Sequence, residues 1–367
     1  MLRHEGKVVC VIDVASDGAG ACLMRAGKGV PHILFSKRAL LSVETRTDEQ
    51  ARSGVMQLLE TILKEMPHEH VPESVRVVVH APWSRFHTAS GNKTYPEEKV
   101  ITKTLIDEAA REALQGIAEK DAEAGVMRIF LNGYPTGNPI GKRARELDAV
   151  VFGGTIEPGV RSGVEHVIGT YFPGRTPIFH TGARTLLSLV HERVPDMQRL
   201  VILSLRGATE CMVVRHESET QYATAPEGLA TILQRIAPQG LPEETLSLIT
   251  MAESDSCSTE ACATIKDAVA RIEPELVRAF GAMLTELANV RRVPNDMVLF
   301  APKELAPWLS QLFTRIDFSQ FTATTQPFRV TAITAADLEN LVLLEKGVKA
   351  DTPLAVASAT VHMFETA

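Results

Sequence analysis

Two short stretches hold the residues that could do chemistry. The first is Asp13-Val14-Ala15-Ser16-Asp17-Gly18, at the end of the β-branched run from Val8 to Val14. Small residues in such a turn let backbone N–H groups approach a phosphate, and an aspartate at a strand end can hold hydrated Mg²⁺. Asp13 is thus a candidate Mg²⁺ ligand, and Ser16, Asp17 and Gly18 are candidate phosphate-binding residues. The same residues also read as a turn whose Asx and Ser side chains satisfy local backbone groups. The second stretch, Ser204-Leu205-Arg206-Gly207-Ala208-Thr209-Glu210, follows another apolar run and offers Gly207, Thr209 and Glu210. Two such hairpins facing each other across a cleft are a more specific signal than either alone. A triphosphate site favours an acid on the second strand and several glycines in its turn, where Ser204, Arg206 and Ala208 stand. Arg206 either pairs with a phosphate or fills the cleft.

Other reactive residues carry less. Cys10, Cys22, Cys211, Cys257 and Cys262 are scattered, match no common zinc spacing and read as free thiols of a reducing compartment. His68 and His70 read as a solvated surface pair, and Ser254 to Ser258 as a loop ending in a helix N-cap. Trp308, Leu312 and Phe313 read as core.

The elements that must position these residues follow from periodicity. Lys7 to Met24 is a strand, a tight turn and a strand; the pattern returns from Arg199 as RLVILSL, RGATE and CMVVRHE. Two similar lobes are expected. Thr47 and Gln50 form a capping box ahead of an amphipathic helix to about Glu65. A β-α-β-β insertion is expected over 73–157, built from the strand VRVVVHAP, a polar turn ASGNKTYP, a helix from Thr102 and the strands MRIFLNGYP and LDAVVFGG. The other segments are 1–72 and 158–198 for the first lobe, 199–330 for the second, and 331–367 returning to the first. The class is α/β. The chain has 367 residues, 45% of them apolar, enough for several globular units with real cores. Its net charge of −7 and lack of long Lys/Arg runs exclude a nucleic-acid footprint. Nothing near the start reads as a signal peptide, and no run approaches the roughly 20 apolar residues of a membrane span. A cytoplasmic protein with indirect membrane contact is expected.

The order of elements resembles the actin/Hsp70 fold, and the stretch Gly133-Tyr134-Pro135, Asn138-Pro139-Ile140-Gly141, then Glu146-Leu147-Asp148-Ala149 resembles the inserted subdomain of the FtsA/PilM family. The resemblance implies a two-lobed ATPase fold with a β-α-β-β subdomain inserted in the first lobe. It matches Asp13 and Ser16 to the first phosphate motif, with Ala15 in place of a glycine, and Gly207 and Thr209 to part of the second, with Glu210 where an aspartate is usual. Gly228 matches the first of two glycines before the next helix, and Leu229 replaces the second. The adenosine turn is replaced by Ala301-Pro302-Lys303. The implied cofactors are ATP and Mg²⁺, or none where the site is lost. The implied role is a weakly binding or non-hydrolysing scaffold in cell division or, alternatively, in type IV pilus assembly. Its partners would be proteins: copies of itself, and membrane proteins of those assemblies through cytoplasmic peptides. An active ATPase or kinase of the same fold is the remaining alternative.

Overall fold

The computed structural model describes residues 6–42, 44, 47–115, 123–193, 199–215, 219–254 and 260–366. The chain opens with strands β1 (Lys7–Ala15), β2 (Gly18–Ala26) and β3 (His32–Leu40), then helix α1 (Asp48–Lys64) and strand β4 (Ser74–Val79). The Thr47/Gln50 capping box is formed, with backbone-to-side-chain bonds of 2.9 and 3.3 Å. Next come β5 (Ser84–Val100), α2 (Lys103–Leu114), β6 (Glu123–Leu131), β7 (Tyr134–Pro135) and β8 (Arg143–Ile156). The chain continues through α3 (Pro158–Tyr171), β9 (Pro177–Thr181) and α4 (Gly182–Arg193).

The second half repeats the opening with β10 (Arg199–Leu205), β11 (Thr209–Arg215) and β12 (Glu219–Ala225). Helices α5 (Leu229–Ile236), α6 (Pro242–Glu253) and α7 (Glu260–Ala288) follow, then β13 (Asp296–Phe300), α8 (Ala306–Arg315) and β14 (Arg329–Ala332). The chain closes with β15 (Leu343–Leu344) and α9 (Thr352–Thr366).

Three sheets result, ordered β15-β3-β2-β1-β4-β9, β12-β11-β10-β13-β14 and β5-β8-β6-β7. The first two share one plan: an antiparallel three-strand meander whose first strand then pairs in parallel with a later one. Helices α4 and α9 lie between these sheets and share a core with the inner face of each, through Val9, Val11, Leu186, Ile202, Met212 and Leu354. The outer faces are covered by α1 and α3 on one side and α5 to α8 on the other. Strands buried on both faces read as unbroken apolar runs, which is why β1 and β10 were easy to see in the sequence. Trp308, Leu312 and Phe313 sit in the second-lobe core.

Two expectations for the insertion are corrected. VRVVV forms β4, which pairs with β1 and β9 in the first sheet; the third sheet begins at Ser84. ASGNKTYP is no turn but the middle of β5, paired with β8 from Ser84↔Ile156 to Thr94↔Glu146, with the register shifting between Thr94 and Lys99. Gly91 is required there because a Cβ would lie 2.1 Å from the Ala109 carbonyl of α2. The insertion is tied to the first lobe by Glu123, which accepts from His180 Nδ1 (2.5 Å), the Thr181 N–H (3.1 Å) and the Arg184 guanidinium. It meets the second lobe as well: Thr88 Oγ1 donates to the Thr220 carbonyl at 2.8 Å, and the Phe86 ring meets Tyr222 edge-on. Cys10, Cys22 and Cys211 are free and buried, but Cys262 is disulfide-bonded, so the reading of five free thiols fails at that position. Cys257 and most of the Ser254 to Ser258 loop lie outside the described residues. No helix among the described residues is long and apolar enough to cross a membrane.

Candidate functional site

The parallel register of β1 with β4 sets Val14 beside Val79 and carries Asp13 and the following His80 to the C-terminal edge of the first sheet. Open α/β sheets place their sites at that edge. His80 Nε2 lies 2.7 Å from Asp13 Oδ2, and its Nδ1 lies 3.3 Å from Glu210 Oε2 on the second lobe's hairpin. With a carboxylate at each nitrogen the ring is held as an imidazolium that donates from both. Gly182 leaves it room: a Cβ there would lie 2.2 Å from His80 Nδ1. Glu210 also accepts from the Tyr222 hydroxyl at 2.9 Å.

Two guanidinium groups complete the cluster. Arg38 lies across from Gly20 in the β2–β3 ladder, and a Cβ on Gly20 would come within 2.9 Å of its Nη2. Arg38 Nη2 donates to Asp13 Oδ1 at 2.9 Å, and its Nε donates to Asp351 Oδ2 at 2.7 Å. From the second hairpin, Arg206 Nη1 stands 2.9 Å from Asp13 Oδ1 and Nη2 stands 3.5 Å from Asp17 Oδ1. Arg206 meets these acids as a charge rather than through aligned hydrogen bonds, since neither Nη nor either Asp17 oxygen has a hydrogen-bond partner among the described residues.

Asp13 and Arg206 are 1% and 5% exposed, so these charges interact with little solvent screening. Burial alone would push the Asp13 carboxyl up, but the charges of Arg206, Arg38 and His80 hold it well below the usual carboxylate range. Burial pulls His80 down, and the Asp13 charge and hydrogen bond outweigh it, raising the imidazole to about 9. Burial and the neighbouring Glu210 carboxylate push the Tyr222 phenol up.

Of the residues singled out from the sequence, Asp13, Asp17 and Glu210 belong to this cluster, Ser16, Gly207 and Gly228 meet at the hairpin tips, and Gly18 and Thr209 pack beside it within the same hairpins. Asp13 is the hub, and Asp17 lies beside Arg206. Ser16 and Gly207 form the two hairpin tips, which touch: a Cβ on Gly207 would lie 2.2 Å from Ser16 Oγ. Gly228 closes on the second tip, its missing Cβ falling 2.2 Å from the Gly207 carbonyl, while the Leu229 N–H donates to the Arg206 carbonyl at 2.7 Å. Thr209 Oγ1 donates to the Glu227 carbonyl, and Gly18 fits beneath the Ala39 carbonyl. The sequence reading missed His80, Arg38, Tyr222 and Asp351. A histidine ending a β-branched run, and an arginine inside the apolar strand HILFSKRAL, were the available signals.

No family model and no curated protein matches the sequence. Among solved structures the chain is similar to one from the PilM–PilN type IV pilus biogenesis complex, with a TM-score of 0.57, 11% identity and 98% of each chain covered. The chain has the two-lobed actin-like fold. Lower similarity extends to the ethanolamine utilization protein EutJ from Carboxydothermus hydrogenoformans (TM-score 0.44, 10% identity, 99% of this chain and 91% of that one). It extends also to a Bacteroides thetaiotaomicron protein of actin-like ATPase fold and unknown function (TM-score 0.40, 8% identity, 98% and 99%).

An actin-like fold implies Mg²⁺ and ATP between the lobes, and the residues present do not fit that pair as they are arranged. Both Asp13 oxygens are engaged, one by Arg38 and Arg206 and the other by His80. A dication beside them would meet three positive groups. The hairpin tips touch where phosphates would need to enter between them. The cleft retains a cavity of about 30 Å³ beside Asp13 and one of about 170 Å³ between Asp17, Arg206 and Asp351. Both fall below the roughly 300 Å³ at which small-molecule pockets begin.

Proposed function

We propose that this chain is a nucleotide-independent scaffold of the FtsA/PilM kind, which acts by holding partner proteins rather than by turning over ATP. The observation that carries this reading is Arg206, which reaches from the second lobe to Asp13, where a nucleotide's metal and phosphates would otherwise be needed to bridge the lobes. An internal cation joins the lobes permanently, whereas a ligand would join them only when bound.

The likeness to a PilM–PilN chain favours type IV pilus assembly as the setting, with a cytoplasmic peptide of a membrane protein as partner and membrane contact made only through it. A division scaffold of the FtsA type is the second reading, supported by the GYPTGNPIG stretch. It forms the tip of the insertion with Tyr134 and Ile140 75% and 64% exposed, as a contact surface for neighbouring subunits would be. Cytoplasmic placement at the inner membrane face belongs to both readings.

Isothermal titration with ATP and Mg²⁺ tests the shared claim: no saturable heat is expected up to millimolar nucleotide. Mg²⁺-dependent binding or hydrolysis abolished by Asp13→Ala would overturn it. Capture of partners from the native cell then separates pilus from division proteins.

A further inference from the structure

The two lobes treat the outer edge of their meanders differently. In the second lobe β5 of the insertion packs against β12, through Thr88 to the Thr220 carbonyl and Phe86 to Tyr222. In the first lobe β3 pairs with β2 along its length but with β15 only at His32 and Ile33. The ladder stops because the chain turns away after Glu345: the Val348 N–H donates to the Glu345 carbonyl at 3.0 Å, and Gly347 takes φ +91°. The loop rejoins β3 at the Arg38–Asp351 pair. Between these two ties lies a groove of about 660 Å³ against β3 residues 34–38.

We infer that this groove docks an extended acidic segment of a partner protein, which adds to the first sheet as a strand beside β3. An open edge offers a row of backbone donors and acceptors, and strand addition is a standard way to use them. Five strand residues span about 17 Å. Leu34, the unpaired residue at the β-bulge, and Phe35 pack partly on the first-lobe core and give the groove an apolar floor with Val348. Lys346 and Lys349 line the opposite wall, exposed and without a carboxylate partner among the described residues. They stand out on a chain of net charge −7. An added strand alternating carboxylates with apolar side chains would present one set to the lysines and the other to the floor. This inference does not depend on whether the cleft binds nucleotide.

The test uses the full chain and a labelled peptide of about eight alternating Val and Glu residues. Two controls accompany it, one with Lys in place of Glu and one with a central Pro that removes a backbone donor. Fluorescence anisotropy is expected to show binding of the acidic peptide alone, weakened about tenfold or more by Lys346→Glu with Lys349→Glu, and by salt near 1 M, where the Debye length is about 3 Å. Hydrogen exchange at residues 34–38 is expected to slow when the peptide binds. No binding at millimolar peptide, binding that survives the charge reversal, equal binding of the proline peptide, or binding without slowed exchange at β3 would each overturn the inference. Slowed exchange in concentrated protein without peptide would assign the edge to a second copy of this chain and overturn it too.

Discussion

The hairpin of the first lobe and the hairpin of the second follow the same path, but the first brings only acids into the cleft whereas the second brings a cation as well as Glu210. Asp13 and Asp17 stand on one, Arg206 on the other, and the turn between strands is two residues in the first and three in the second. The longer turn lets Arg206 reach over to the first lobe's acids while Gly207 rests against Ser16. A duplicated plan that elsewhere could grip a ligand from two sides thus grips itself, once one side supplies the cation.

That contrast is broken most severely by removing the cation. Arg206→Ala removes the cation that faces Asp17 and one of the three that face Asp13, leaving Asp17 buried without its ion-pair partner, and a loss of about 3–5 kcal/mol in urea unfolding is expected. Adding Asp17→Asn to it should recover part of that loss, because Asp17 faces Arg206 and no hydrogen-bond donor among the described residues; no recovery would mean that the two side chains do not act as a pair.

The next effect is a pH dependence. His80 is raised from its ordinary 6.5 to about 9 in the fold, so its contribution is fully present below about pH 6.5 and is lost as pH rises through about 9. At about 1.4 kcal/mol per pH unit, stability should fall by roughly 3 kcal/mol between pH 6 and pH 10. His80→Gln should flatten that slope. Asp13 works in the opposite direction, its contribution being present above the ordinary 3.8 and lost as pH falls through its lowered value.

The smallest of the three effects sharpens the role of the tips. Gly207→Ala forces a Cβ against Ser16 and should cost about 1–3 kcal/mol. Gly137→Ala, in open space, should change stability by less than about 0.5 kcal/mol. Thermal unfolding of the two variants checks both values; equal effects would show that the tips are not in contact.

The sequence disclosed the hairpins because their strands are buried on both faces and their turns are rich in small residues. It disclosed Asp13, Glu210 and the glycines around them as neighbours, but not what they do. A run such as VRVVV announces a strand without saying which sheet it joins, so β4 was assigned to the insertion. ASGNKTYP has turn composition, and only its partner β8 makes it a strand. His80, Arg38, Tyr222 and Asp351 were missed because each gains its meaning from a partner far away in sequence: Arg38 is unremarkable until Asp351 and Asp13 converge on it.

The return of β15 and α9 to the first sheet has a consequence for how the chain is made. The strands of the second lobe are contiguous from Arg199 to Ala332 and can assemble as they leave the ribosome. The first sheet cannot. Val9, Val11, Cys22 and Met24 on its inner face wait for Leu354, Ala355 and Ala357 of α9, and Cys22 meets Ser358 only when the last helix arrives. At roughly 5–20 residues per second, that apolar face stays open for tens of seconds during synthesis. The lobe that is begun first is the last to be finished, since α9 must join α4 on its inner face.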